Sequence, residues 1–314
     1  MARTIERRVD AETDALRAPT RRLTLPRRLR RRSVLAFLLC VPLFVIIGGL
    51  VVYPAFFAVY LAMLNKARTT FVGFANFKFL FGRDLFWMVV QQVIVFAVTA
   101  VLFKALLGFI AAHLVNNLPA KGQRKWRGMM LVPWVIPPAL STLGWWWMFD
   151  PTYSAFNWLL ALMGGPHIPW LSDPNWARFC VILVNVWIGT PFFMIMYLAA
   201  LKSVPAELYE VAAVDGASAW QKLVYITLPM MRNIIAITVL FSLIVTFANY
   251  DIVRVLTAGG PRNMTHILAT YAFRLGIEGG DLPLGAAVSL VMLPILGTFA
   301  IFILRGVRQR AREL

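Results

Sequence analysis

The sequence is short of charge, and shorter still of acid. Of its 314 residues, 14% are Asp, Glu, Lys or Arg, and only 14 residues are acidic. A soluble domain carries about 25% charged residues, so a soluble globular fold is excluded. Cysteine is nearly absent. Cys40 and Cys180 both lie in apolar runs, which argues against a disulfide framework and a cysteine metal cluster, so both read as small packing residues. His113, His167 and His266 are scattered without metal-ligand spacing. No Gly-Lys dipeptide occurs, so there is no Walker A loop, and the chain is not expected to bind or hydrolyse ATP itself. No Gly-x-Ser-x-Gly elbow or other nucleophile–base constellation is present, so no catalytic residue, metal or resident cofactor is expected.

What the sequence does contain is apolar residues in long runs. They make up 60% of the chain, and the mean hydropathy is +0.72. Six runs approach the ~20 residues needed to cross a bilayer. They run from Ser33 to about Phe57, then over 86–112, 129–149, 179–201, 233–253 and 284–304. The expected fold is therefore an all-α polytopic membrane protein with six transmembrane helices.

A net charge of +17 raises the question of nucleic acid. No basic stripe interleaved with aromatics lies outside the apolar runs, so none is expected as a partner. The basic residues instead follow the positive-inside rule. Segments 1–33, 116–127, 202–232 and 305–314 hold 22 Lys and Arg, against 8 in 58–85, 150–178 and 254–283. Both termini are thus expected inside. Residues 1–33, with eleven arginines, read as an uncleaved cytoplasmic tail, residues 34–305 as the membrane domain, and 306–314 as a basic cytoplasmic end.

Helix-disrupting residues fall within three runs: Pro133, Pro137 and Pro138; Gly189 and Pro191; Pro294 and Gly297. Such breaks are frequent in transporters, and ordinary kinks account equally well for any one of them. Lys104 lies inside the second run. A charge at the bilayer centre costs about 2.5–3.5 kcal/mol, so its side chain is expected to snorkel to the cytoplasmic surface. Asp251 and Arg254, spaced i, i+3, are expected to pair with each other.

The segment from Pro205 to Pro229 stands apart. Pro205 suits a first helical turn, and Glu207 lies at the positive end of the helix dipole. Leu208, Val211 and Ala212 share one face. Gly216 suits a left-handed stop, and Ser218 with Gln221 forms a capping box for a second helix. Trp220, Leu223 and the residues through Leu228 give that second helix an apolar side. Two short helices around a tight turn on the cytoplasmic face are equally able to lie on headgroups or to grip another protein.

A resemblance bears on that choice. Glu210-Val211-Ala212, Asp215-Gly216-Ala217 and Ile226-Thr227-Leu228-Pro229 resemble the EAA loop of permease subunits of ABC importers, with Val211 in place of the central alanine. Phe71-Val72-Gly73-Phe74-Ala75-Asn76-Phe77, Trp147 to Pro151 with Asn157-Trp158, and Leu256-Thr257-Ala258-Gly259-Gly260-Pro261 resemble further stretches of the carbohydrate-uptake branch. The last is similar to the larger membrane subunit of the maltose transporter. The resemblance covers about 34–305, without two extra N-terminal spans of that subunit. It implies a coupling loop over 203–229, in which Glu210, Ala212, Ala213, Asp215, Gly216 and Ala217 meet an ATPase. It implies a heterodimer with a second permease subunit, two cytoplasmic ATPase subunits that bind ATP and magnesium, an extracytoplasmic solute-binding protein, and a place in the bacterial inner membrane. It implies import of a sugar or sugar-like solute. The alternatives are a polyol, phosphodiester or sulfonate carried by the same architecture, or a membrane scaffold without transport.

Asn185, with Gly189 and Phe192 at i+4 and i+7, shares a face of the fourth run. In the fifth run Thr246 and Asn249 are spaced i, i+3, with Val245 at i−4 from Asn249. On residues alone, Asn185 and Asn249 equally suit interhelical hydrogen bonds. The resemblance places these six on solute-contacting positions, with Phe192 for a tyrosine, Val245 for a phenylalanine and Thr246 for an asparagine. It therefore implies a solute shaped differently from maltose.

Overall fold

The structure is a computed structural model that describes residues 32–310. Most of the arginine-rich tail and the last four residues lie outside the described residues. The described chain is all-α, and its only β pairing is an isolated bridge between Leu64 and Phe71.

Helices follow in order: α1 (Ala36–Ala62), α2 (Ala75–Phe81), α3 (Asp84–Asn116), α4 (Ala120–Val135), α5 (Pro138–Met148), α6 (Ala155–Leu162), α7 (Pro174–Lys202), α8 (Ala206–Val214), α9 (Ala219–Phe247), α10 (Tyr250–Leu256), α11 (Leu268–Phe273) and α12 (Leu282–Arg310). Two compact units divide between Phe57 and Ala58. The first holds most of α1, which carries a wide π turn at Gly48–Val52. The second holds everything from Ala58 onward.

Five helices are long and apolar enough to cross a membrane: α1, α3, α7, α9 and α12. The expected third span is instead two helices. Val135 ends α4, Ile136 and Pro137 are extended with ψ of 133° and 129°, and Pro138 starts α5. Tandem prolines remove two successive N–H donors and hold the preceding residue out of helical space. Of the two alternatives for the fourth and sixth runs, a full break is not what forms: α7 runs unbroken through Gly189 and Pro191, and α12 through Pro294 and Gly297. A lone proline costs one hydrogen bond, and the long helix absorbs that loss.

Helices α3 and α7 pack together along their length and form the centre of the second unit. Water drives no association inside a bilayer, so close backbone approach must supply it. The buried stripe of α3 meets that need with Ala97, Ala100, Gly108, Ala111 and Ala112. The fit at Gly108 is tight: a Cβ there would lie 2.3 Å from the Cβ of Phe193. Helix α9 lies against both α3 and α7, and α12 lies against α9.

The stripe generates a test. Gly108→Val forces α3 and α7 apart and is expected to destabilise the protein by about 1–3 kcal/mol, the usual range for overpacking. Gly297→Ala, where nothing lies within 4 Å, is the neutral control. Thermal unfolding in detergent should fall for the first and hold for the second.

Candidate solute site and coupling segment

The coupling segment is built by local hydrogen bonds. Helix α8 begins after Pro205 with Glu207 in its first turn. It ends at Asp215, where Gly216 turns left-handed with φ +74°. The Gly216 N–H donates to Ala213 O at 3.1 Å, and the Ala217 N–H donates to Ala212 O at 2.8 Å. That pair is a Schellman closure. Ser218 and Gln221 then form the capping box, with Gln221 N–H to Ser218 Oγ at 3.3 Å and Ser218 N–H to Gln221 Oε1 at 2.7 Å.

The second helix is not a separate element. It passes through a π turn at Leu223–Thr227 and continues past Pro229 into α9, one helix of 29 residues. The turn is clamped to α8 by a 2.9 Å hydrogen bond between the Tyr209 hydroxyl and Thr227 Oγ1. Leu208 and Val211 do not pack inward, and with Val214, Trp220 and Tyr225 they form an exposed apolar face. Glu210, Ala213, Asp215 and Gly216 are exposed beside it, while Ala212 and Ala217 are half-buried.

Three of the candidate solute residues, Asn185, Gly189 and Thr246, come together around a side chain assigned elsewhere from sequence. Lys104 does not snorkel. It is 3% exposed, and its ammonium donates to Asn185 Oδ1 at 2.9 Å and to Thr246 Oγ1 at 2.8 Å. Twelve residues separate it from the C-terminal end of α3. At 1.5 Å per residue that is about 18 Å, beyond a lysine's reach. Gly189 makes room for it, since a Cβ there would lie 2.4 Å from Lys104 Cδ. Lys104 is therefore the one long side chain in the small-residue stripe of α3.

Asn185 and Thr246 are themselves buried, at 4% and 1% exposure. Next to Thr246, Val245 is exposed. Phe192 is half-buried within an aromatic group, its ring 5.2 Å from Phe241 and 6.1 Å from Trp134. Flat apolar faces of this kind suit a sugar ring, but the sequence reading missed Trp134, Phe241 and Lys104. The spacing Ala97, Ala100, Lys104, Gly108 was the available signal for the lysine.

Asn249 does not join the cluster. Helix α9 ends at Phe247, and Asn249 is the N-cap of α10, its Oδ1 accepting from Ile252 N–H at 3.2 Å. The expected Asp251–Arg254 pair does not form either. Arg254 bonds to Glu278 at 2.7 Å instead, bringing α10 to the segment just before α12. Asp251 is exposed.

The other sequence motifs fix loops. Asn76 Nδ2 donates to the carbonyls of Ala62 and Leu64, both at 2.8 Å. Asn157 bonds to Ile168 and Trp170 across an aromatic cluster of Trp145, Phe149, Phe156 and Trp170. Gly259, at φ +88°, lies over the His266 ring, where a Cβ would come within 2.1 Å. Burial, and then Arg274, push the His266 imidazole down to about 4, so it stays neutral at pH 7.

Residues 104–313 match the family described as binding-protein-dependent transport system inner membrane component. The chain is 29% identical over 284 residues to the trehalose/maltose transport system permease protein MalF of Thermococcus litoralis, covering 89% of this chain and 96% of that one. It is 31% identical over 282 residues to the sulfoquinovosyl glycerol transport system permease protein SmoG of Agrobacterium fabrum, covering 88% and 91%. Against the maltose/maltodextrin permease MalF of Salmonella typhimurium it is 31% identical over 262 residues and spans 51% of that protein. In fold it superposes on a chain from the crystal structure of a bacterial ABC transporter for the acidic polysaccharide alginate, with a TM-score of 0.78 and 23% identity, covering 90% of this chain and 97% of that one. The chain is a multi-pass inner-membrane protein and belongs to the family of binding-protein-dependent transport system inner membrane components, the permease subunits of ABC importers.

Proposed function

We propose that this chain passes a sugar or sugar-like solute into the cytoplasm as one of two homologous membrane subunits. Two cytoplasmic ATPase subunits supply the energy, and an extracytoplasmic binding protein delivers the solute. ATP and magnesium are bound by those ATPases. The broken pair α4–α5 crosses with the five long helices as the third of six spans, which leaves both termini inside.

One observation carries this reading. The exposed face of α8 and the first turn of α9 is continuous, through a single helix, with Thr246 beside Lys104 and Asn185. A groove on an ATPase that closes around Glu210, Ala212, Ala213, Asp215, Gly216 and Ala217 would move the cytoplasmic end of that helix. The Tyr209–Thr227 bond makes α8 and the base of α9 move together. Thr246 then shifts against α3 and α7, and the site is exposed to one side and then the other. The sugar class is supported by the aromatic group at Phe192 and by the names of the relatives. Asn185, Gly189, Phe192, Val245 and Thr246 surround or border the solute, and Asn249 contributes at the outer end of the path.

Two measurements test the reading. The chain co-expressed with its partners should yield an ATPase whose turnover rises when a sugar-loaded binding protein is added; no rise with any sugar would overturn it. Gly216→Pro demands a negative φ where the chain holds +74°, and Ala213→Glu places charge on the docking face. Each should lower stimulated turnover by about tenfold or more, which is ~1.4 kcal/mol of lost coupling, with the protein still in the membrane. Normal uptake by both would remove the coupling role. Tyr209→Phe removes only the hydroxyl and should reduce uptake per ATP hydrolysed more than it reduces hydrolysis.

A further inference from the structure

The ammonium of Lys104 has no counter-charge in its surroundings. Its two hydrogen-bond partners, Asn185 Oδ1 and Thr246 Oγ1, are neutral. Among the described residues the one ion pair is Arg254–Glu278, on α10 and the outer loop. The helices packed around Lys104 hold no acid that reaches it. There is none in α7, none in α9, and none in α4, α5 or α12. Helix α3 has only Asp84, twenty residues away. That is about 30 Å along the helix. The other charges on α7 and α9 are Arg178, Lys202, Lys222 and Arg232, all basic. A buried charge in a spanning segment is costly and is normally paired. This one is built in, because Gly189 is shaped to admit its stem.

The hydrogen bonds also orient the site. An ammonium only donates, so Asn185 must turn its carbonyl oxygen to Lys104. Its Nδ2 makes no hydrogen bond within the described chain, yet no buried polar side-chain atom is left without a partner. That N–H₂ group therefore borders space that protein atoms do not fill. The site offers donors and positive charge, and it offers no carboxylate.

We propose that Lys104 is a specificity-determining residue and that the solute carries an anionic group, a carboxylate or sulfonate on a sugar framework, as the missing counter-charge. This inference rests on the sugar-permease reading above and narrows it. The low dielectric of the site lets the charge act without direct contact. In an open state of the transport cycle the solute's anion lies on the side of Asn185 Nδ2.

The test uses the full importer in proteoliposomes with ATP inside. Neutral probes are maltose and trehalose; anionic probes are maltobionate and sulfoquinovosyl glycerol. The wild type should take up an anionic probe in preference to its neutral counterpart. Lys104→Met should raise KM for the anionic probe about tenfold or more beyond whatever change it makes in KM for the neutral probe. Lys104→Arg, which keeps the charge, should stay within about threefold of wild type. If wild type carries only neutral sugars, or if Lys104→Met lowers both classes equally while assembling normally, the charge role is overturned and the sugar-permease function stands. If wild type carries neither class, the underlying function fails as well. Should Lys104→Met not assemble, the wild-type preference together with Lys104→Arg still decides the matter.

Discussion

One ammonium group holds three helices at a single point. Lys104 on α3 bonds to Asn185 on α7 and to Thr246 on α9. Each bond sits where the alternative is an unsatisfied polar group in an apolar interior, which costs far more than the bond itself contributes. The three helices are therefore registered by polar contacts in a region where apolar packing alone is permissive. The small-residue stripe brings α3 and α7 close, and the lysine fixes which residues face each other.

That junction lies at one end of a lever. Helix α9 begins at the capping box of Ser218 and Gln221 and ends at Phe247, one residue beyond Thr246. The π turn at Leu223–Thr227 is the irregular point in that rod, and Tyr209 holds it. A second tie runs from the end of α7, where Lys202 donates to Gln123 at 2.7 Å, to the first turn of α4. These ends of the bundle are thus bridged by side chains, and the exposed face of α8 is where the proposed mechanism has an external force enter. The outer ends are held differently, by aromatic clusters and by asparagines that bond to backbone.

The local chemistry of the coupling segment was legible in the sequence because it is local. The Schellman turn at Gly216 and the capping box at Ser218 depend on residues within six positions of one another. The apolar runs likewise gave four of the five long helices to within a turn or two, although α9 begins well before 233 because the second short helix merges with it. Where the reading failed, the deciding partner was remote. Lys104 is buried only because Gly189 and Asn185, on another helix, admit it. Arg254 leaves Asp251 for Glu278, twenty-four residues on. Asn249 was placed on a helix that in fact ends two residues earlier, and there its side chain serves as a cap. Sequence leaves break and kink open for each single proline, and only the tandem Pro137–Pro138 removes enough backbone donors to end a helix.

In the proposed mechanism, motion applied at the segment from Pro205 to Pro229 reaches the Lys104 junction. The direct measurement is a distance between spin labels at Leu102 on α3 and Ile244 on α9, both exposed on their helices. It would be taken in the nucleotide-free importer and in the ATP-trapped complex with a loaded binding protein. The distance should shift by several ångströms between the two states, and the shift should be lost in Gly216→Pro. The same distance in both states, in an importer that still hydrolyses ATP and takes up solute, would contradict that mechanism.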